Sequence, residues 1–184
     1  MRHPNLTDRA DSCLVVVDMQ EPFLRTMFDR ATVVESSRKL IGAAKILGLP
    51  ILVTLQNAER MGDTVPEVKE LLPPGEAIDK MSFSCCGDEA FNRRLTQLGR
   101  RTVILCGVET HICINQTAHD LLALGYMVHV PGDAVCSRRQ DDWRAGLEKM
   151  RQSGVIITST EAVIFELLGC AGTDEFREIL KAVK

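Results

Sequence analysis

Three residues of this 184-residue sequence, Asp18, Lys80 and Cys113, have types that together could make an activated thiol nucleophile. A cysteine attacks carbon as its thiolate, and an unperturbed thiol holds little of that form at neutral pH. Activation requires a base to take the proton, or a cation or helix N-terminus to favour the negative charge. An aspartate can accept the thiol proton, and a neighbouring ammonium favours the thiolate. Taken singly, each residue also has an ordinary reading as a turn aspartate, a solvated lysine or a small buried thiol. Lys80 stands 62 positions after Asp18, and Cys113 another 33 positions on, so only a fold can gather them.

The surrounding pattern supplies such a fold. Leu14–Val17 is an apolar, β-branched run of the kind buried on both faces of a parallel sheet, and it ends in Asp18. Further strands are expected at Ile51–Leu55, Ala77–Lys80, Thr102–Cys106, Tyr126–Val130 and Val155–Thr158. Helices are expected at about Ala31–Leu47, Val65–Leu72, Asp88–Leu98, Asp141–Gln152, Glu161–Leu168 and Asp174–Ala182, with another after Thr110 as N-cap. Gly48, Gly99 and Gly125 stand where helices should stop. Strand and helix alternate, so the expected fold is α/β: a single-domain, doubly wound (Rossmann-like), mostly parallel six-stranded sheet with helices on both faces, over residues 1–184. Ligands of such sheets sit beyond the carboxyl ends of the strands. Asp18 closes strand one, Lys80 strand three, and Cys113 follows strand four by one loop. With Thr110 as N-cap, Cys113 lies in a first helical turn, where unpaired N–H groups favour negative charge.

Composition removes other classes. With 22 basic and 25 acidic residues the net charge is −3, and no polybasic stretch marks a nucleic-acid partner. No apolar run reaches membrane-span length, and the opening MRHPNLTDRADS is too polar for a secretory leader. Seven cysteines, an odd number at irregular spacing, argue against a disulfide framework and for reduced thiols in a cytoplasmic setting. No CxxC pair occurs, and Cys85-Cys86 lack metal-ligand spacing.

Together, VVVDMQ, IDKMSFS, GVETHIC and DAVCSR, in this order and at these gaps, resemble the isochorismatase-like cysteine hydrolase superfamily, over about residues 13–170. Nicotinamidases and N-carbamoylsarcosine amidases belong to it. The segments QNAERMGDTVPEV and ITSTEAVIFELL look most like its smaller isochorismatase-domain branch. The resemblance implies that Cys113 is the nucleophile, Asp18 the general base and Lys80 the cation that stabilises the anionic groups. It also implies a cis peptide at Val108-Glu109, an oxyanion hole made by the Glu109 and Cys113 N–H groups, a small-molecule amide substrate and a homo-oligomer.

Nicotinamidases place an Asp-x-His metal pair after strand two, where this chain reads Leu55-Gln56-Asn57-Ala58-Glu59-Arg60. No metal and no cofactor are therefore expected, and nicotinamide is a poor substrate candidate. Phe23, Gln56, Asn57, Phe83 and His111 follow strand ends and are candidate pocket residues, each also readable as plain packing or loop structure. Arg138 and Arg139 are expected to pair with Asp141 and Asp142, with an acidic substrate as the alternative partner, and Trp143 to pack in the core or between subunits. The alternatives to an enzyme are a binding protein that keeps the family site without turnover, and a redox sensor using Cys85 or Cys86 as a resolving thiol.

Overall fold

The computed structural model describes residues 3–75 and 77–183. Strands β1 (Ser12–Val17), β2 (Ile51–Gln56), β3 (Ile78–Lys80), β4 (Thr102–Val108), β5 (Met127–Pro131), β6 (Val135–Cys136) and β7 (Ile156–Thr158) form one sheet in the order β3-β2-β1-β4-β5-β7, with β6 against β4. Every strand pairing in it is parallel. The helices are α1 (Glu21–Leu24), α2 (Arg30–Leu47), α3 (Ala58–Met61), α4 (Pro66–Lys69), α5 (Glu89–Leu98), α6 (Asn115–Ala123), α7 (Gln140–Gln152), α8 (Thr160–Leu168) and α9 (Asp174–Val183).

The doubly wound α/β expectation is met, and the strand count is corrected from six to seven. The added strand, β6, has only two residues, too few for any hydrophobic period to register. The expected Val65–Leu72 helix shortens to α4, and single-turn α1 and α3 are additions for the same reason. Capping follows the sequence elsewhere: Asp29 accepts from Thr32 N–H, Asp88 from Phe91 N–H, and Gly48 and Gly99 adopt the left-handed conformation.

Alternation along β1 divides the core into two layers. Leu14 and Val16 face α2, α8 and α9 through Leu40, Ile41, Ile164 and Leu167. Cys13, Val15 and Val17 face α5, α6 and α7 through Phe91, Leu95, Leu121 and Met150. The chain winds outward from β1 to β3, then returns to β4 on the other side of β1. The topological switch point thus lies between the carboxyl ends of β1 and β4. Gly107 makes the strand ends meet there: a Cβ on it would sit 2.0 Å from the Val17 carbonyl oxygen. No helix among the described residues is long and apolar enough to cross a membrane.

The layered core carries a pH signature. Burial pushes the thiols of Cys13, Cys106 and Cys113 up to about 12 and that of Cys85 to about 11. An unfolded chain releases those protons near pH ~8.5 while the folded one still holds them. Folded-state pKa values that are raised give stability that is complete below the unfolded value and lost as pH climbs toward the folded one. Each thiol removes up to about 1.4 kcal/mol per pH unit in that window. The urea midpoint should be flat with respect to these thiols from pH 6 to 8 and fall steeply above about pH 9. A midpoint unchanged at pH 10 contradicts their burial.

Candidate active site

Asp18 follows the last residue of β1 with φ +52°, a left-handed conformation that aspartate tolerates better than most side chains. Its N–H donates to the Thr54 carbonyl (3.1 Å), which docks the end of β1 on β2. The side chain is buried and held at both oxygens: Oδ1 accepts from Thr54 Oγ1 (2.7 Å), and Oδ2 from Lys80 Nζ (2.8 Å).

Lys80 is the last residue of β3 and is 1% exposed. Lysine is almost never buried unless paired. Its ammonium donates to Asp18, to Gln56 Oε1 (2.7 Å), and to the Ser82 and Phe83 carbonyls (3.2 and 3.3 Å). Burial pulls the Lys80 pKa down, but the Asp18 carboxylate together with the neighbouring Cys113 and Cys85 sulfurs outweighs it and leaves the pKa above the ordinary lysine value. Gln56 is itself locked. Its N–H donates to Gln20 Oε1 (2.8 Å), Gln20 Nε2 returns a bond to its carbonyl (3.2 Å), and its Nε2 donates to the Met81 carbonyl (2.9 Å).

Cys113 arrives from the other side of the switch point. After β4 the Val108-Glu109 peptide is cis, as expected from the resemblance. Thr110–Ile114 then form a π-helical turn that runs into α6. The expectation that Thr110 caps a helix is not met: Glu109 is the cap residue, and the buried Thr110 hydroxyl has no partner among the described residues. Ile112 and Ile114 N–H both donate to the Glu109 carbonyl (3.1 and 3.2 Å), flanking Cys113. Gly146 of α7 lets that helix close on the turn, since a Cβ there would stand 3.1 Å from His111 Cα.

A small cavity is lined by Asp18, Phe23, Gln56, Phe83, Val108, Glu109, Ile112 and Cys113. Six sequence-derived candidates thus share one wall, with Lys80 directly beneath Asp18. Asn57 and His111 are not among the lining residues. Asn57 takes a left-handed turn after β2, and its N–H donates to the Lys80 carbonyl (3.0 Å). His111 Nδ1 lies 2.9 Å from Ser137 Oγ. Arg138 pairs with Glu109 (3.1 Å) rather than with Asp141 or Asp142. Trp143 packs edge-on against Phe28, with ring centroids 5.9 Å apart.

The electrostatics revise one expectation. Burial, and then the Asp18 carboxylate, push the Cys113 thiol up to about 12, while Lys80 pulls the other way. Lys80 is already committed to Asp18, so the pair presents little net charge to the sulfur. Burial and the Asp18 carboxylate thus favour the thiol form of Cys113 over the thiolate. Thr54 and Gln20 were missed in the sequence reading. A polar threonine inside the apolar ILVTLQ strand was the available signal for Thr54. The residues after β2 do not fit a metal: Gln56 offers its side-chain oxygen to Lys80, and Asn57 Ala58 Glu59 Arg60 supply no histidine.

Comparison with known proteins agrees with this architecture. Residues 12–162 match the family model described as "Isochorismatase domain". The chain is 42% identical over 177 residues to the secreted isochorismatase effector Isc1 of Phytophthora sojae, covering 94% of this chain and 84% of that protein. It is 41% identical over 172 residues to isochorismatase domain-containing protein 2 of Danio rerio, covering 92% and 85%. Among solved structures, MAR1 ribonuclease from Caenorhabditis elegans superposes with a TM-score of 0.90 at 38% identity, covering 97% and 92%. A family model spanning most of the chain, together with relatives of this identity along nearly its whole length, shows that the chain belongs to the isochorismatase family of hydrolases.

Proposed function

We propose that this chain is a cysteine hydrolase that cleaves the C–N bond of a small amide through a thioester on Cys113. The observation that carries the reading is the buried Asp18–Lys80 pair at 2.8 Å, in a site whose cavity wall also holds Cys113. Cys113 Sγ attacks the carbonyl carbon while its proton passes to Asp18. The oxyanion is held by the Glu109 and Cys113 N–H groups, each worth about 3–4 kcal/mol in hydrolases of this kind. The tetrahedral adduct collapses, the C–N bond breaks, and the amine leaves with the proton from Asp18. Water then attacks the thioester and gives a proton to Asp18, which returns it to the departing sulfur. The balance is amide plus water to acid plus amine. Lys80 keeps Asp18 oriented throughout and touches no reacting atom.

The nematode relative is named a ribonuclease. Against a polyanionic substrate here stand the net charge of −3 and a cavity wall whose carboxyl groups belong to Asp18 and Glu109. The oomycete relative is named a secreted effector. For this chain we retain a reducing, cytoplasmic setting, supported by seven free thiols, one of them the exposed Cys170. We read the chain as one domain and as a subunit of a homo-oligomer. One sheet running from β1 to β7 supports the first, and the exposed Met81 and Leu124 side chains support the second. Ammonia release from primary amides by wild type, absent in Cys113→Ala, tests the chemistry. Equal release by both proteins overturns it.

A further inference from the structure

Resting on the amide-hydrolase reading, we infer that the site selects short, uncharged carboxamides, with Phe83 setting the length limit. The cavity beside Cys113 has a volume of only about 50 Å³. That is room for only a few heavy atoms, since a cavity needs about 10–15 Å³ to hold even one water. Its walls are chiefly apolar: Phe23, Phe83, Val108 and Ile112. They offer an acyl chain dispersion contacts and give a carboxylate or hydroxyl no partner.

Charge points the same way. The carboxyl groups in the wall belong to Asp18 and Glu109, and no lysine or arginine is among the lining residues. Lys80 cannot serve a substrate anion, because its three N–H bonds already face four acceptors. Arg138 is spent on Glu109 and is mostly solvent-exposed. A substrate carboxylate would leave water for a chiefly apolar cavity in which both nearby cations, Lys80 and Arg138, are already paired, so it would be buried without a counter-ion. A neutral amide meets no such penalty.

The length limit is built into the Lys80 tether. Its ammonium holds the Ser82 and Phe83 carbonyls, which fixes the backbone that carries Phe83 into the cavity wall. Phe83 is 56% exposed, so truncating it opens the cavity to solvent without hollowing the core.

The test is ammonia release from acetamide, propanamide, butanamide and hexanamide, with succinamate as the charged analogue, by wild type, Cys113→Ala, Phe83→Ala and Phe83→Trp. For wild type, kcat/KM should fall at least about tenfold between propanamide and hexanamide. Succinamate should be roughly a hundredfold poorer than butanamide. Phe83→Ala should raise the hexanamide-to-acetamide ratio about tenfold, and Phe83→Trp should lower it. Cys113-dependent hydrolysis of hexanamide or succinamate as fast as acetamide overturns the selectivity and leaves the thioester chemistry standing. A ratio unmoved by both Phe83 variants overturns the role of Phe83. No Cys113-dependent ammonia from any amide overturns the hydrolase reading and this assignment with it.

Discussion

Cys113→Ala should lower kcat by on the order of 10⁴-fold or more on the best amide substrate. The substitution deletes the atom that forms the new bond, and nothing else in the cavity can replace it. Asp18 is committed to Lys80 and Thr54, and the second thiol nearby, Cys85, is fully buried, with its Sγ 3.9 Å from Thr54 Oγ1. Folding should be nearly untouched, because a cysteine in apolar surroundings packs as a small hydrophobe. The measurement is steady-state turnover beside a thermal melt of the same preparation. A non-catalytic binding protein would show no difference between variant and wild type. A redox sensor that uses Cys85 or Cys86 as the resolving thiol would show a disulfide to one of them in wild type after mild peroxide.

Lys80→Met should destabilise the protein by about 3–5 kcal/mol, because it strands the buried Asp18 carboxylate without its counter-ion. Gln56 Oε1 and the Ser82 and Phe83 carbonyls lose their donor in the same step. For a domain of this size the melting temperature should fall by about 10 °C. The double variant Asp18→Asn, Lys80→Met should recover part of that loss, since a neutral pair costs less to bury than a lone charge. It should recover no activity, because asparagine cannot take the Cys113 proton. A Lys80→Met protein as stable as wild type would mean that the pair is hydrated rather than buried.

How much of this was legible in the sequence depends on the length scale of each feature. The α/β order could be read because each long element carries its own period and caps, as Asp88, Gly48 and Gly99 illustrate. The site could be located because parallel sheets collect functional residues at strand ends, and Asp18, Lys80 and Cys113 stand at three of them. Strand β6 and helices α1 and α3 escaped because two to four residues hold no period. The partners Thr54 and Gln20, and the bond from Lys80 to Gln56, escaped for another reason: which polar side chain meets which is set by the β1–β2–β3 register, and that emerges only on assembly. Arg138 found Glu109 instead of Asp141 because β6 lies beside β4 and carries the following chain to the end of that strand. The resting state of the thiol was least legible, since it turns on burial and on the distance from Lys80 to Asp18, neither of which is local in sequence.

The central claim is a covalent thioester on Cys113, and rapid-quench mass spectrometry tests it most directly. Acid quenching during turnover of propanamide, followed by proteolysis, should give a propionyl adduct on the peptide carrying Cys113 and on none carrying Cys85 or Cys86. Turnover with every cysteine peptide unmodified, or with the acyl group on Cys85, would contradict the account.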